Sequence, residues 1–372
     1  MKIYMRSFAI STAALTIGLL SSCGGSDDSD GAATASSVAD LQLSGALNLA
    51  IPDGMAAASG GTAATLALSG ESLNLVGKKS SEACRTMENT NQVLSFLQQA
   101  GSMFCHMEAE SANLKFGTKY NISMAASPSG AAESLALWVD NSVADQLKVY
   151  MCQGGVLTQN INISGYSGSG KVKGSMLSQH SDTNGSGGIN LEFDLTQAGL
   201  KIITAKMKHT NTGSNAGTYR NFSDIKLADS GVSTVKLSSV GTRGSDTFSD
   251  QASVLFNGTM GQALFTGNGT RSSNVYNWTS RSTFGSDGIT VASTSASANI
   301  VVASTSLPEK LPTDFAPTAP SGWDCTGATE TLTAGMSSGA TAAAHAACNT
   351  NGRNNRSFSG CWGTDFEQGM RE

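Results

Sequence analysis

The sequence predicts a mainly β protein: an antiparallel meander forming a strongly curved sheet or half-barrel, with one N-terminal helix and a small disulfide-tied C-terminal tail. Three observations carry this expectation. From Leu114 to Thr305, stretches such as Ile189-Asn-Leu-Glu-Phe-Asp-Leu195 alternate apolar with polar residues, as strands with one buried face do. Turn formers punctuate them (Asn184-Gly185, Gly187-Gly188, Thr212-Gly213, Asn257-Gly258, Asn268-Gly269, Asp287-Gly288), and Asn-Gly or Asp-Gly supplies the positive φ of a tight hairpin. Charged residues are 14% of the chain and 42 of its 372 residues are glycine, a balance that suits an exported β-rich protein.

The chain begins with Lys2 and Arg6, then an apolar run from Phe8 to Leu20 that ends in Leu20-Ser21-Ser22-Cys23. A charged start, a short apolar core and small residues before a cut describe a secretory signal over residues 1–22. The run falls short of the ~20 apolar residues that a spanning helix needs. The tetrapeptide resembles the lipobox of bacterial lipoproteins, and that resemblance covers only the first two dozen residues. It implies cleavage before Cys23, a thioether-linked diacylglycerol on its thiol and an acyl group on its amine. No other cofactor is expected. Two or more chains anchor stably, so the membrane would be a partner through this lipid. The family's sorting pattern, with Gly24 where an Asp would signal inner-membrane retention, implies an outer-membrane address in the cell envelope.

Residues 23–40 have almost nothing to bury and read as a lipidated flexible tether. Residues 41–307 read as the β-rich main domain. Within it, the small apolar clusters from Leu41 to Leu75 suggest short strands. Ser80 or Ser81 can cap a helix running over 81–105, whose apolar residues Ala83, Met87, Val93, Leu94, Leu97 and Phe104 keep a helical period. Strands follow at Leu114–Met124, Ser134–Asp140, Leu147–Cys152, Leu157–Ile163, Lys171–Ser178, Ile189–Leu195 and Gly199–His209. The series continues with Tyr219–Leu227, Val232–Val240, Phe248–Asn257, Gln262–Thr266, Val275–Phe284 and Ile289–Ala303. No helical pattern between them would carry a parallel crossover, so neighbours should pair antiparallel. The helix is expected on the apolar face of that sheet. Pro308, Pro312, Pro317 and Pro320 mark a linker over 308–320, and residues 321–372 form a Cys-containing cap.

Apart from Cys23 there are six cysteines: Cys84, Cys105, Cys152, Cys325, Cys348 and Cys361. An even number in an oxidising compartment reads as three disulfides. Cys84 and Cys105 would stand ~30 Å apart on one straight helix, so they could pair only across a hairpin. Otherwise each staples the helix elsewhere, with Cys152 a candidate partner. Three tail cysteines are an odd number, so one should bridge back to the main domain.

Few motifs carry chemistry. Gly335-Met-Ser-Ser-Gly339 fits the G-x-S-x-G nucleophile elbow, but the order of His345 and Asp365 and the lack of a parallel-sheet pattern oppose it. Asp182, Asn184 and Ser186 match the first oxygen ligands of a calcium loop. Phe193 stands where the closing Glu should be, and the flanks look like strands, so a hairpin loop is the better reading. His106, His180, His209 and His345 are far apart in sequence with no zinc spacing, and no metal is assigned. The net charge of −5, which becomes −7 without Lys2 and Arg6, offers no footprint for nucleic acid. These features together suggest a non-enzymatic envelope protein with a structural, adhesive or binding role toward a protein partner. The alternative is a periplasmic carrier of lipid or another apolar ligand in a half-barrel cavity.

Overall fold

The computed structural model describes residues 43–47, 49, 81–110, 114–123, 134–165, 171–182, 185–213, 216–256, 261–271, 274–284, 291–293, 325–328, 330–333 and 348. The signal, lipobox and tether, the elbow motif and the proline linker lie outside these residues.

Two helices come first, α1 (Leu43–Ala46) and α2 (Ser81–Ala109). Among the described residues, fourteen strands follow: β1 (Lys119–Ser123), β2 (Ser134–Asp140), β3 (Gln146–Gln153), β4 (Val156–Ser164), β5 (Lys173–Asp182), β6 (Gly185–Asp194) and β7 (Leu200–Asn211). The rest are β8 (Gly217–Ala228), β9 (Ser233–Arg243), β10 (Asp246–Phe256), β11 (Gly261–Arg271), β12 (Asn274–Phe284), β13 (Val291–Ser293) and β14 (Glu330–Thr333). They form one sheet in the order β13-β12-β11-β10-β9-β8-β7-β6-β5-β4-β3-β2-β1-β14. Sequential neighbours pair antiparallel, as hairpin chemistry demands.

Three expectations need correction. Leu43–Ala46, expected within a short strand, is a helical turn. Four residues are too few to separate a period of 2 from one of 3.6. The all-antiparallel expectation fails at one edge, where β14 pairs parallel with β1 through Tyr120↔Glu330 and Ile122↔Leu332. A parallel neighbour can come from any distance along the chain, and this one arrives from the segment expected to be a separate cap. Cys152 does not staple the helix. Its partner is Cys325, and Cys105 of α2 pairs with Cys348, so two tail cysteines reach back rather than one.

The chain divides into two compact units. One holds α1, the C-terminal end of α2, strands β1–β4 and β14, and both of these disulfides. Here Glu108 of α2 accepts hydrogen bonds from Leu43 N (3.0 Å) and from Ser44 Oγ (2.9 Å), satisfying donors that the start of α1 leaves open. Gly101 lets α1 approach closely, since a Cβ there would lie 3.1 Å from Ser44 O. Register places Tyr120, Leu137, Val139, Val149 and Ile161 on one sheet face, all buried. Ala136, Tyr150, Cys152 and Leu157 form a second buried cluster on the other face, with Trp138 and Cys325 against it. The Cys152–Cys325 bond therefore fastens the tail to a face that an antiparallel sheet often leaves wet.

The second unit holds the N-terminal part of α2 and strands β5–β13. Its strands bury alternate residues: Ile189, Leu191 and Phe193 on β6, Ile203 and Ala205 on β7, Val235 and Leu237 on β9. On α2, Ala83, Cys84, Met87, Val93, Leu94 and Leu97 are buried together with Thr86 and Thr90. Burial of these polar side chains explains their satisfaction: Thr90 Oγ1 donates to Thr86 O (2.8 Å) and Gln98 Nε2 donates to Leu49 O (2.6 Å). The helix runs on past the expected end at Cys105, because nothing in His106-Met-Glu-Ala109 breaks it.

Candidate functional site

Two histidines, two aromatic rings and a row of hydroxyls gather at one end of strands β5–β11. The sequence folds that way because the connections there are short, two residues between Asp182 and Gly185 and between Arg243 and Asp246 and five between Asn211 and Gly217, so counting outward from a turn fixes which residues face each other. Asp246 pairs with Arg243 around one such turn, and further out on the same two strands Phe248 faces Gly241.

On the core-facing side, register assembles a row: His180 of β5, Gly187 of β6, His209 of β7, Tyr219 of β8, Gly241 of β9, Phe248 of β10 and Gly269 of β11. Rings lean across the glycines. His180 and His209 stack at 5.6 Å between centroids and 23° between planes, on either side of Gly187. Tyr219 and Phe248 meet at 5.6 Å across Gly241, tilted by 38°. The glycines are required: a Cβ on Gly187 would lie 2.6 Å from His180 Cε1 and 2.8 Å from His209 Nδ1. Behind this row come Ile189, Met207, Asn221, Ser239 and Asp250, where the apolar core gives way to polar groups. His209 Nε2 lies 2.6 Å from Asn211 Oδ1, within hydrogen-bonding distance. Parallel imidazoles hold their in-plane lone pairs in separate planes, so this geometry stacks the rings rather than chelating one ion between them.

The opposite side of the same strand ends carries hydroxyls. Ser181 faces Ser186, Ser186 faces Thr210, and Thr210 faces Thr218. The row continues through Thr242, whose Oγ1 accepts from Thr218 N (3.2 Å), to Thr247 and Thr270, whose hydroxyls lie 2.9 Å apart. Ser181, Ser186, Thr242 and Thr247 are exposed. One step further in along the strands stand Gln179, Gly188, Lys208, Arg220, Val240, Ser249 and Asn268. Lys206 lies one step beyond Lys208 on the same face.

His180 and His209, far apart along the chain, stack through the β5–β6–β7 register. The segment from Asp182 is a hairpin in which Asp182 faces Gly185 and Ser186 is a strand residue; Asn184 lies outside the described residues. Gly187, which the calcium-loop reading puts at a sharp turn, is inside β6. Among the described residues, no group of three or more His, Cys, Asp or Glu could hold a metal ion. Cys84 is disulfide-bonded, while Cys23, Cys361, His345 and Asp365 lie outside the described residues. His106 sits in the last turn of α2. No described helix is long and apolar enough to cross a membrane, which says nothing of strands.

Elsewhere, Lys119 Nζ lies 5.4 Å from the centre of the Trp138 ring, which stacks on Tyr150 at 5.4 Å. Burial raises the Tyr150 phenol above its usual range, and Asp140 adds to this. This ladder belongs to the tail-covered cluster rather than to an open site.

No family model, no curated protein and no solved structure matches this chain.

Proposed function

We propose that the chain is a lipid-anchored cell-envelope lipoprotein with a non-enzymatic binding or adhesive role, presenting its sheet to a partner. The observation that carries the anchor is Leu20-Ser21-Ser22-Cys23 at the end of an apolar run. Disulfides agree with an oxidising compartment outside the cytosol. The binding role is supported by the exposed hydroxyl row and its neighbouring cations, which are not needed to cover a core. An outer-membrane position rests on Gly24 alone. The finer fold, a strongly curved sheet or half-barrel, is supported by strand number: open twisted sheets rarely exceed ~10 strands without curling, and this one has fourteen.

The test is metabolic labelling with a palmitate analogue, on the native chain and on Cys23→Ser. Label on the first and none on the second is the expected result. A native chain that takes no label, or keeps its first twenty-two residues, overturns the anchor. The carrier alternative draws on the apolar inward row Phe193, Ile203, Ile225, Val235 and Val254. Mass spectrometry of a delipidated sample decides it, since a carrier would retain a co-purified apolar ligand.

A further inference from the structure

On the core-facing side of strands β6–β11, Leu191, Ala205, Ser223, Leu237, Ala252 and Phe265 face one another in register, and all are buried. Two rows further toward the strand ends, His180, His209, Tyr219 and Phe248 are only half-buried, as are Gly187 and Gly241 between them. The cover over the core therefore stops short of these rings. A glycine inside a strand weakens it and marks a close approach by another group. Here rings make the approach: the imidazoles close over Gly187, and the tip of Phe248 lies where a Cβ of Gly241 would stand. These rings reach along the sheet rather than away from it, and they form a low strip on two centres. One is the His180–His209 pair over β6, the other the Tyr219–Phe248 pair over β9. Three strand spacings separate the centres, ~14 Å at ~4.8 Å per strand.

Polar groups border the strip on both sides. Behind it, Asn221, Ser239 and Asp250 face one another in register. Toward the strand tips stands Asn211, with its Oδ1 2.6 Å from His209 Nε2. Beside it Arg243 directly faces Asp246, an unlike pair, so this border does not select an anion.

We propose that the ring strip binds a neutral β-linked polysaccharide. A pyranose with equatorial hydroxyls has flat C–H faces and a polar rim. Its weakly positive C–H groups suit the negative faces of aromatic rings, and its hydroxyls suit the amide, hydroxyl and carboxyl groups on either side. An acyl chain would leave those polar borders unmatched. Two ring pairs this far apart are more than a single sugar reaches, so the ligand is a chain. This gives a ligand class to the binding role proposed above, on which it rests, and it does not depend on the lipid anchor.

The experiment titrates cellohexaose, glucose and laurate into the purified full chain carrying isotope-labelled histidine. The chain has four histidines, and His180→Gln and His209→Gln spectra assign the two that matter. Cellohexaose should move the ring signals of His180 and His209, and laurate should move neither. Glucose, which reaches one ring pair only, should bind at least ~10-fold more weakly. Tyr219→Ala/Phe248→Ala should lose ~10-fold or more in affinity for cellohexaose, while Tyr219→Phe keeps the ring and should bind like the native chain. Thermal unfolding of each variant controls for folding, and the histidine signals are read on the native chain whatever the variants do. Unmoved His180 and His209 signals, glucose binding as tightly as the hexamer, or undiminished binding by a folded Tyr219/Phe248 double variant overturns the proposal. Laurate moving those signals in place of cellohexaose also overturns it and favours the carrier alternative. Because lipid labelling of Cys23 is read separately, a failed anchor and a failed saccharide site give different results.

Discussion

The ring of Phe248 lies over Gly241: a Cβ built on that glycine would sit 2.4 Å from Phe248 Cζ and 3.0 Å from Thr218 O. The side chain of one strand occupies the space its neighbour leaves empty, and through it Phe248 reaches Tyr219 on the strand beyond. Gly241→Ala should therefore destabilise by about 1–3 kcal/mol, the usual cost of overpacking. Strand propensity alone would favour replacing the glycine. Urea unfolding separates the two: an unchanged or more stable variant would mean that the ring does not need the vacancy.

The tail is expected to behave as a stapled cover over Ala136, Tyr150, Cys152 and Leu157, with Trp138 beneath it. Cys325→Ser opens a link between residues 173 apart in sequence. Loss of such a bond typically costs ~2–5 kcal/mol, and the cluster loses its cover as well. The melting temperature should fall, and tryptophan emission should shift to the red as Trp138 meets water. Stable emission with a lowered melting point would show that the tail stays in place without its bond.

Much of this fold is legible in alternation. Ser134–Asp140 and Phe284 as a strand end are visible because one face of each strand is apolar and the other is not. Glu330–Thr333 escapes such a reading: four residues show no period, and their partner Lys119–Ser123 lies two hundred residues away. The disulfide partners are hidden for a related reason, since spacing along the chain excludes pairs but does not choose among them. The same limit conceals the candidate site. His180, Gly187, His209 and Tyr219 look unrelated along the chain and meet only when strands are registered. A signal does exist in the residue order: counting outward from each Gly-containing turn pairs Ser186 with Thr210 and Gly241 with Phe248.

Cysteine arithmetic links the fold to the anchor. Cys105–Cys348 and Cys152–Cys325 account for four thiols, and Cys84 is also disulfide-bonded. Of the seven cysteines, Cys23 and Cys361 remain as its possible partners. If the thiol of Cys23 carries a diacylglycerol thioether it cannot form a disulfide. Non-reducing peptide mapping should then join the Cys84 peptide to the one containing Cys361. A Cys84–Cys23 peptide would overturn lipidation directly.

Two carboxyls tune acid stability in opposite directions. Burial raises Glu108 above its ordinary value of 4.5, an effect that its bonds from Ser44 and Leu43 only partly offset. Its unfolded form ionises first, so as pH climbs from 4.5 toward the raised folded value the unfolded state gains and stability falls. Asp194 is held below its ordinary 3.8, chiefly by the hydroxyl of Thr196 (2.6 Å) and then by its backbone N–H. Its contribution is present above 3.8 and disappears as pH drops through the lowered folded value. Glu108→Gln keeps an acceptor for Leu43 N while removing the ionisation, so the decline above pH 4.5 should flatten. Thr196→Ala should instead lower stability near neutrality and shrink the loss on the acid side. Urea midpoints from about pH 3 to 7 check both, and matching pH profiles for Glu108→Gln and the native chain would remove Glu108 as the buried carboxyl responsible.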